Sequence, residues 1–172
     1  AITILNAARK YLGRTSEEGL SGILYVTSGL GGMSGAQPKA AVIAGAVCIV
    51  AEIDPEPAFK RHSQGWLNEL YEDLEELTDR AEVAISNGEA ISLGYLGNIV
   101  DLLEFLVDRQ ITPHLMSDQT SLHNPWLGGY IPVGYTLEEG LILIRDNPER
   151  FKELVQESLI RHVSAINKLT EL

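Results

Sequence analysis

Only one cysteine, Cys48, occurs in the 172 residues, so no disulfide can close within the chain and the fold must rest on packing and hydrogen bonds. No apolar stretch approaches the ~20 residues that a membrane-spanning helix requires. Basic residues are also scarce: 13 Lys and Arg stand against 24 Asp and Glu, for a formal charge of −11. Without a cationic stripe there is nothing to displace counterions from a phosphate backbone, so neither nucleic acid nor membrane is an expected partner. No charged-then-apolar leader opens the chain, and Ala1 stands where an initiator methionine would be. The expectation is therefore a cytoplasmic location and a segment of a longer protein. His62, His114, His123 and His162 lack metal-ligand spacing, and no metal site is expected.

What the chain does have is 45% hydrophobic residues, enough for one domain spanning residues 1–172, with its core at about 22–135. The organising stretch runs from Thr27 to Gln37. Before it, Gly22–Thr27 reads as a buried parallel strand, short, apolar and rich in strand formers. Behind it, Pro38 fits only the first turn of a helix, which the spacing places near Gly35. A strand, a glycine-rich turn and a helix start form a cradle for anions, because bare backbone lets a phosphate approach unpaired N–H groups. Gly29, Gly31 and Gly35 give G-x-G-x-x-x-G, one residue longer than the usual dinucleotide fingerprint. A second strand, Val47–Glu52, ends in an acid about twenty residues on, where such folds grip a ribose hydroxyl.

Ile2–Leu12 reads as an amphipathic helix stopped by Gly13, and Thr15 with Glu18 has capping-box spacing that predicts a further helical turn. Asp54-Pro55-Glu56 starts a third helix. The apolar spacing of Trp66, Leu67, Leu70, Tyr71, Leu74, Leu77, Ala81, Ala84 and Ile85 keeps a helix going for some twenty residues, to Gly88. Ala90–Leu96 reads as a third strand before a helix bearing Ile99, Leu102, Leu103 and Leu106. His114–Ser117 follows as a fourth strand after Pro113. Residues 118–132 form a long polar loop, Thr136 to Glu139 a capping box, and Asn147-Pro148-Glu149 the start of a last helix with Phe151, Leu154, Val155, Leu159, Val163 and Ile166 on one stripe. The alternation predicts an α/β fold, Rossmann-like, with a parallel sheet of about four or more strands between two helical layers. Three loops should then meet at the carboxyl edge: Gly29–Gly35, Gly97-Asn98 and the segment after Ser117.

The words Thr27-Ser28-Gly29-Leu30-Gly31-Gly32-Met33-Ser34-Gly35-Ala36-Gln37-Pro38, Leu96-Gly97-Asn98 and Ser117-Asp118-Gln119-Thr120-Ser121-Leu122-His123-Asn124-Pro125 resemble those of urocanase, or urocanate hydratase. With Glu52, Lys60-Arg61-His62 and Gly128-Gly129-Tyr130, the similarity runs from about Gly22 to about Pro132 and continues more weakly beyond. The family's enzymes are several times longer, so the chain looks like their central NAD-binding domain. The resemblance places pyrophosphate contacts on Gly32, Met33 and Ser34, where Ser34 replaces a glycine common in bacterial members, and the adenosine-ribose acid on Glu52. It places further cofactor contacts on Asn98, Ile99, Gln119, Thr120, Ser121, Leu122, His123, Tyr130 and Ile131. An arginine that some members use falls on Pro57, so that contact is absent or taken over by Lys60 or Arg61.

The resemblance further implies a hydro-lyase of histidine breakdown, in which tightly bound NAD+ is the electrophile while water adds to urocanate to give imidazolone propionate. The family's catalytic cysteine lies in a later region, so no catalytic residue is expected here and the chain alone should be inactive. Its implied partners are urocanate, the remaining urocanase regions and a second subunit, as family members are homodimers. Cys48, mid-run in an apolar strand, reads as a buried inert thiol. The alternative is a self-contained NAD-dependent dehydrogenase or a nucleotide-binding regulatory module. Its expected Tyr-x-x-x-Lys, or a histidine with a carboxylate partner, finds no convincing match.

Overall fold

A computed structural model describes residues 1–15, 17–119 and 124–172. The chain resolves into two compact units, Ala1–Leu96 with Pro113–Asp118, and Gly97–Thr112 with Gln119–Leu172.

The first unit is built on five parallel strands: β1 Leu24–Ser28, β2 Val47–Glu52, β3 Glu69–Tyr71, β4 Ile91–Leu96 and β5 Leu115–Met116. Their order is β3-β4-β2-β1-β5. The register sets Ser28 opposite Ala51 and Glu52 opposite Leu96, so β1, β2 and β4 end along one edge. β5 ends there too, since the N–H after it, that of Ser117, bonds Val26 O. β1, β2 and β4 are buried nearly throughout, as expected of parallel strands covered on both faces. Cys48 lies fully buried in β2, and burial pushes its thiol pKa up, which makes it the inert thiol read from the sequence. With helices around the sheet, the fold is the Rossmann-like one that the alternation of elements predicts.

Helix α1, Ile2–Leu12, stops at Gly13 in the left-handed conformation. Helix α2, Gln37–Ile43, has Pro38 in its first turn, two residues later than the sequence reading placed its start. Thr15 and Glu18 do make the reciprocal capping bonds, yet residues 17–22 form turns rather than a helix. With Gly19 and Gly22 both at positive φ, the chain turns into β1 instead.

The long third helix of the sequence reading is two helices and a strand. Helix α3, Pro55–Ser63, ends at Gln64; β3 intervenes; helix α4, Leu74–Asn87, begins at the N-cap Asp73, whose side chain accepts the Glu76 N–H. Gly65, at φ 65°, turns the chain. Asn68 then pairs its amide oxygen with the N–H and hydroxyl of Ser92, fixing β3 on the sheet edge.

In the second unit, helices α5 (Ile99–Asp108), α6 (Leu137–Asp146) and α7 (Pro148–Glu171) pack as α5 on α7 and α6 on α7. The capping box of Thr136 and Glu139 forms as read, and Asn147 caps α7. The buried line of α7 is Phe151, Val155, Ser158, His162, Ala165 and Leu169, whereas Val163 is exposed. The stripe is rotated from the apolar pattern because two polar side chains face inward with partners. Ser158 Oγ receives the Val133 N–H at 2.9 Å, and His162 Nδ1 lies 3.2 Å from the Tyr130 hydroxyl.

Candidate functional site

In an open parallel sheet the ligand crevice lies outside the carboxyl ends of the strands, where the strand order reverses. Here that point is β1: β2, β4 and β3 follow on one side of it and β5 returns on the other. The segments leaving β1 and β5 are the glycine turn and Ser117-Asp118. They are joined directly, Ser28 Oγ donating to the carboxylate of Asp118.

The turn itself is held from several directions. Gly29 takes φ 85°, a conformation that glycine adopts without strain, and its N–H bonds Ala51 O at 2.8 Å. The Leu30 N–H goes to Glu52 Oε2 at 2.6 Å and the Leu30 carbonyl accepts from Arg61 Nε at 3.1 Å. Arg61 Nη2 donates to the Gly31 carbonyl at 2.9 Å. A Cβ on Gly35 would come within 2.1 Å of Arg61 Nε, so the absence of a side chain there is what admits the guanidinium.

Gly31 and Gly32 differ from these. Neither has positive φ, and among the described residues a Cβ on either would meet nothing within 4 Å beyond its own chain neighbours. Nothing among the described residues requires glycine at either position, and bare backbone there leaves an open approach. Gly32 is exposed, and Met33 at the tip of the turn is 90% exposed, while Ser34 is buried. The N–H groups of Gly31, Gly32, Met33 and Ser34 find no acceptor among the described residues. Four free donors beside two unobstructed glycines suit the oxygens of a diphosphate.

Glu52 is not a solvated acid at a strand end. Besides the Leu30 N–H it accepts the Asp54 N–H on Oε1 at 3.0 Å. Burial raises its pKa, and the hydrogen bonds from Asp54 and Leu30 oppose that shift. Ile53 also contributes a backbone hydrogen bond, and a carboxylate with about four acceptor sites still has capacity for a ligand hydroxyl. Of the two cations that could replace the family arginine at Pro57, Arg61 is committed to the turn and Lys60 is exposed.

Behind the turn lies a polar cluster that sequence reasoning missed. The hydroxyls of Tyr25 and Thr27 meet Gln37 Oε1 at 2.7 and 3.0 Å, and both lie within 2.9 Å of Ser117 Oγ. Alternation on β1 puts residues 25 and 27 on one face, which was the available signal. Burial raises the Tyr25 pKa.

The remaining positions marked by the resemblance belong to the second unit. Asn98 caps α5: its Oδ1 accepts the Val100 N–H at 3.0 Å and its Nδ2 donates to Ile131 O at 2.9 Å. Asn98, Ile99, Tyr130 and Ile131 are all buried, and the Tyr130 hydroxyl lies 3.2 Å from His162 Nδ1. Gln119 is exposed. Thr120, Ser121, Leu122 and His123 lie outside the described residues. The structure thus gathers Gly32, Met33, Ser34 and Glu52 around one turn.

A family model described as the urocanase Rossmann-like domain matches residues 1–172. The chain is 54% identical over 170 residues to a "Probable urocanate hydratase" of Dictyostelium discoideum, covering 98% of this chain and 25% of that protein. It is 52% identical over 175 residues to a "Urocanate hydratase" of Homo sapiens and 50% identical over 175 residues to one of Mus musculus, each match covering 99% of this chain and 25% of the relative. The chain spans about a quarter of the length of these curated relatives.

Proposed function

The chain belongs to the urocanase family as its Rossmann-like domain, and from there we propose that it is the NAD+-holding module of a urocanate hydratase. The observation that carries this reading is the pair Gly31 and Gly32, set at the topological switch point among N–H donors; among the described residues neither backbone conformation nor packing requires these glycines, and the donors have no acceptor. When bound, NAD+ supplies an oxidised nicotinamide ring as the electrophile toward urocanate.

The residues of this chain bind and orient. The N–H groups from Gly31 to Ser34 hold the diphosphate, and Glu52 accepts a hydroxyl of the adenosine ribose with its remaining lone pairs. Asn98, Ile99, Gln119, Thr120, Ser121, Leu122, His123, Tyr130 and Ile131 are proposed as further cofactor contacts. The chain acts as a single NAD-binding domain with no catalytic residue of its own. Substrate contacts and the reactive groups come from the remaining urocanase regions, in a homodimeric cytoplasmic enzyme of histidine catabolism.

Calorimetry of the chain with NAD+, beside an assay with urocanate and NAD+, tests this. Saturable binding without turnover is the expected outcome. Absence of binding would remove the cofactor role, and substantial turnover by the chain alone would overthrow the division of labour.

A further inference from the structure

The structure assigns to Arg61 the orientation of the glycine turn, a positioning role that rests on the reading of this turn as the seat of the diphosphate. Its guanidinium donates to two consecutive carbonyls, Leu30 O from Nε at 3.1 Å and Gly31 O from Nη2 at 2.9 Å. The third nitrogen, Nη1, bonds Gln64 Oε1 at 2.9 Å, and the cation lies 5.0 Å from the centroid of the Trp66 ring. The Arg61 carbonyl in turn accepts the N–H groups of Trp66 and Leu67, so the arginine is fixed at its backbone and at its head.

In a trans peptide the C=O and the N–H of the same unit point in opposite directions. Drawing the carbonyls of Leu30 and Gly31 toward Arg61 therefore turns the N–H groups of Gly31 and Gly32 away from it. Among the described residues those two N–H groups have no acceptor and the space beside both glycines is open. Glu52 reinforces the arrangement by holding the Leu30 N–H. A lysine could not do this work, since its single ammonium lacks the rigid fork that spans two carbonyls. Gly35 belongs to the same device: any side chain there would occupy the guanidinium's place.

The test uses Arg61→Gln, Arg61→Lys, Gly35→Ala and the Gly35→Ala/Arg61→Gln double variant of the full chain, each checked for folding by circular dichroism. Without ligand, the amide resonances of Gly31 and Gly32 should move in all four, while those of Val26 and Ile49 in the sheet stay in place. With ligand, NAD+ and ADP-ribose should bind roughly tenfold or more weakly, adenosine, which carries no diphosphate, should bind unchanged, and the double variant should be no weaker than Arg61→Gln. Unmoved turn amides would overturn the assignment, as would equal losses for adenosine and NAD+ in folded variants. If the wild-type chain binds no NAD+, the cofactor reading falls, and the ligand-free resonances still decide whether Arg61 orients the turn.

Discussion

The carboxylate of Glu52 receives the N–H of Leu30 at 2.6 Å, tying the end of β2 to the first residues of the turn that leaves β1. The acid is at once a ribose acceptor in the proposed function and a brace for the glycine turn. Glu52→Ala should therefore weaken NAD+ binding by roughly 1 to 3 kcal/mol, the range for hydrogen bonds to a charged group. Titration calorimetry on a folded variant measures this, and an unchanged affinity would remove the role. Because burial raises the Glu52 pKa, wild-type affinity should begin to fall, as pH is lowered, at a higher pH than an ordinary glutamate would give.

Tyr25 and Gln37 make a second such tie, 2.7 Å from hydroxyl to amide oxygen, with Ser117 Oγ 2.6 Å from the same hydroxyl. Tyr25→Phe keeps the ring and removes these bonds, so unfolding by urea should show a loss of about 0.5 to 1.5 kcal/mol. A variant as stable as the wild type would mean that the cluster contributes nothing net.

His114 connects β5 to β1 by accepting the Leu24 N–H on Nδ1 at 3.1 Å, which requires the neutral ring. Desolvation, with Arg14 nearby, lowers its pKa below the usual histidine value. A base whose folded-state pKa is depressed contributes stability that is present above the unfolded value, near 6.5, and lost as pH falls through the folded value. Thermal unfolding between pH 7.5 and 5 should show this decline. The loss should be small because the residue is largely exposed. His114→Asn, which offers an amide oxygen in place of Nδ1, should flatten the profile.

Asn98 caps α5 and donates to Ile131 O from a buried position. Asn98→Ala removes the cap and leaves a carbonyl unpaired, a loss of about 1 to 3 kcal/mol in stability. If the cofactor meets only backbone there, NAD+ affinity of the folded variant should change far less than in Glu52→Ala. Denaturant titration and calorimetry on the same sample separate the two effects.

The sequence makes β1, β2, β4 and the caps of α1, α6 and α7 legible, because β-branched runs, Gly13, Thr136 and Asn147 act through neighbours in the chain. β3 was hidden because Leu70 and Tyr71 happen to share helical spacing with Trp66 and Leu74. The Asn68–Ser92 pairing that makes a strand of them spans twenty-four residues. The α7 stripe was misread by one step because Ser158 and His162 are buried through partners elsewhere in the chain, Val133 and Tyr130. Around the site, the glycines and Glu52 carry a local signature. Arg61 is marked in the sequence only within Lys60-Arg61-His62 and as a substitute for the arginine at Pro57; its hold on the turn has no local signal, since its partners are main-chain carbonyls about thirty residues away. Gly35 reads as one more glycine of a fingerprint until the guanidinium beside it is seen.

The most direct test of the central claim is a ¹⁵N–¹H titration of the chain with NAD+. The amide resonances of Gly31, Gly32, Met33 and Ser34 should shift together and saturably, as their N–H groups gain phosphate acceptors. Saturation with those four signals unmoved would contradict it.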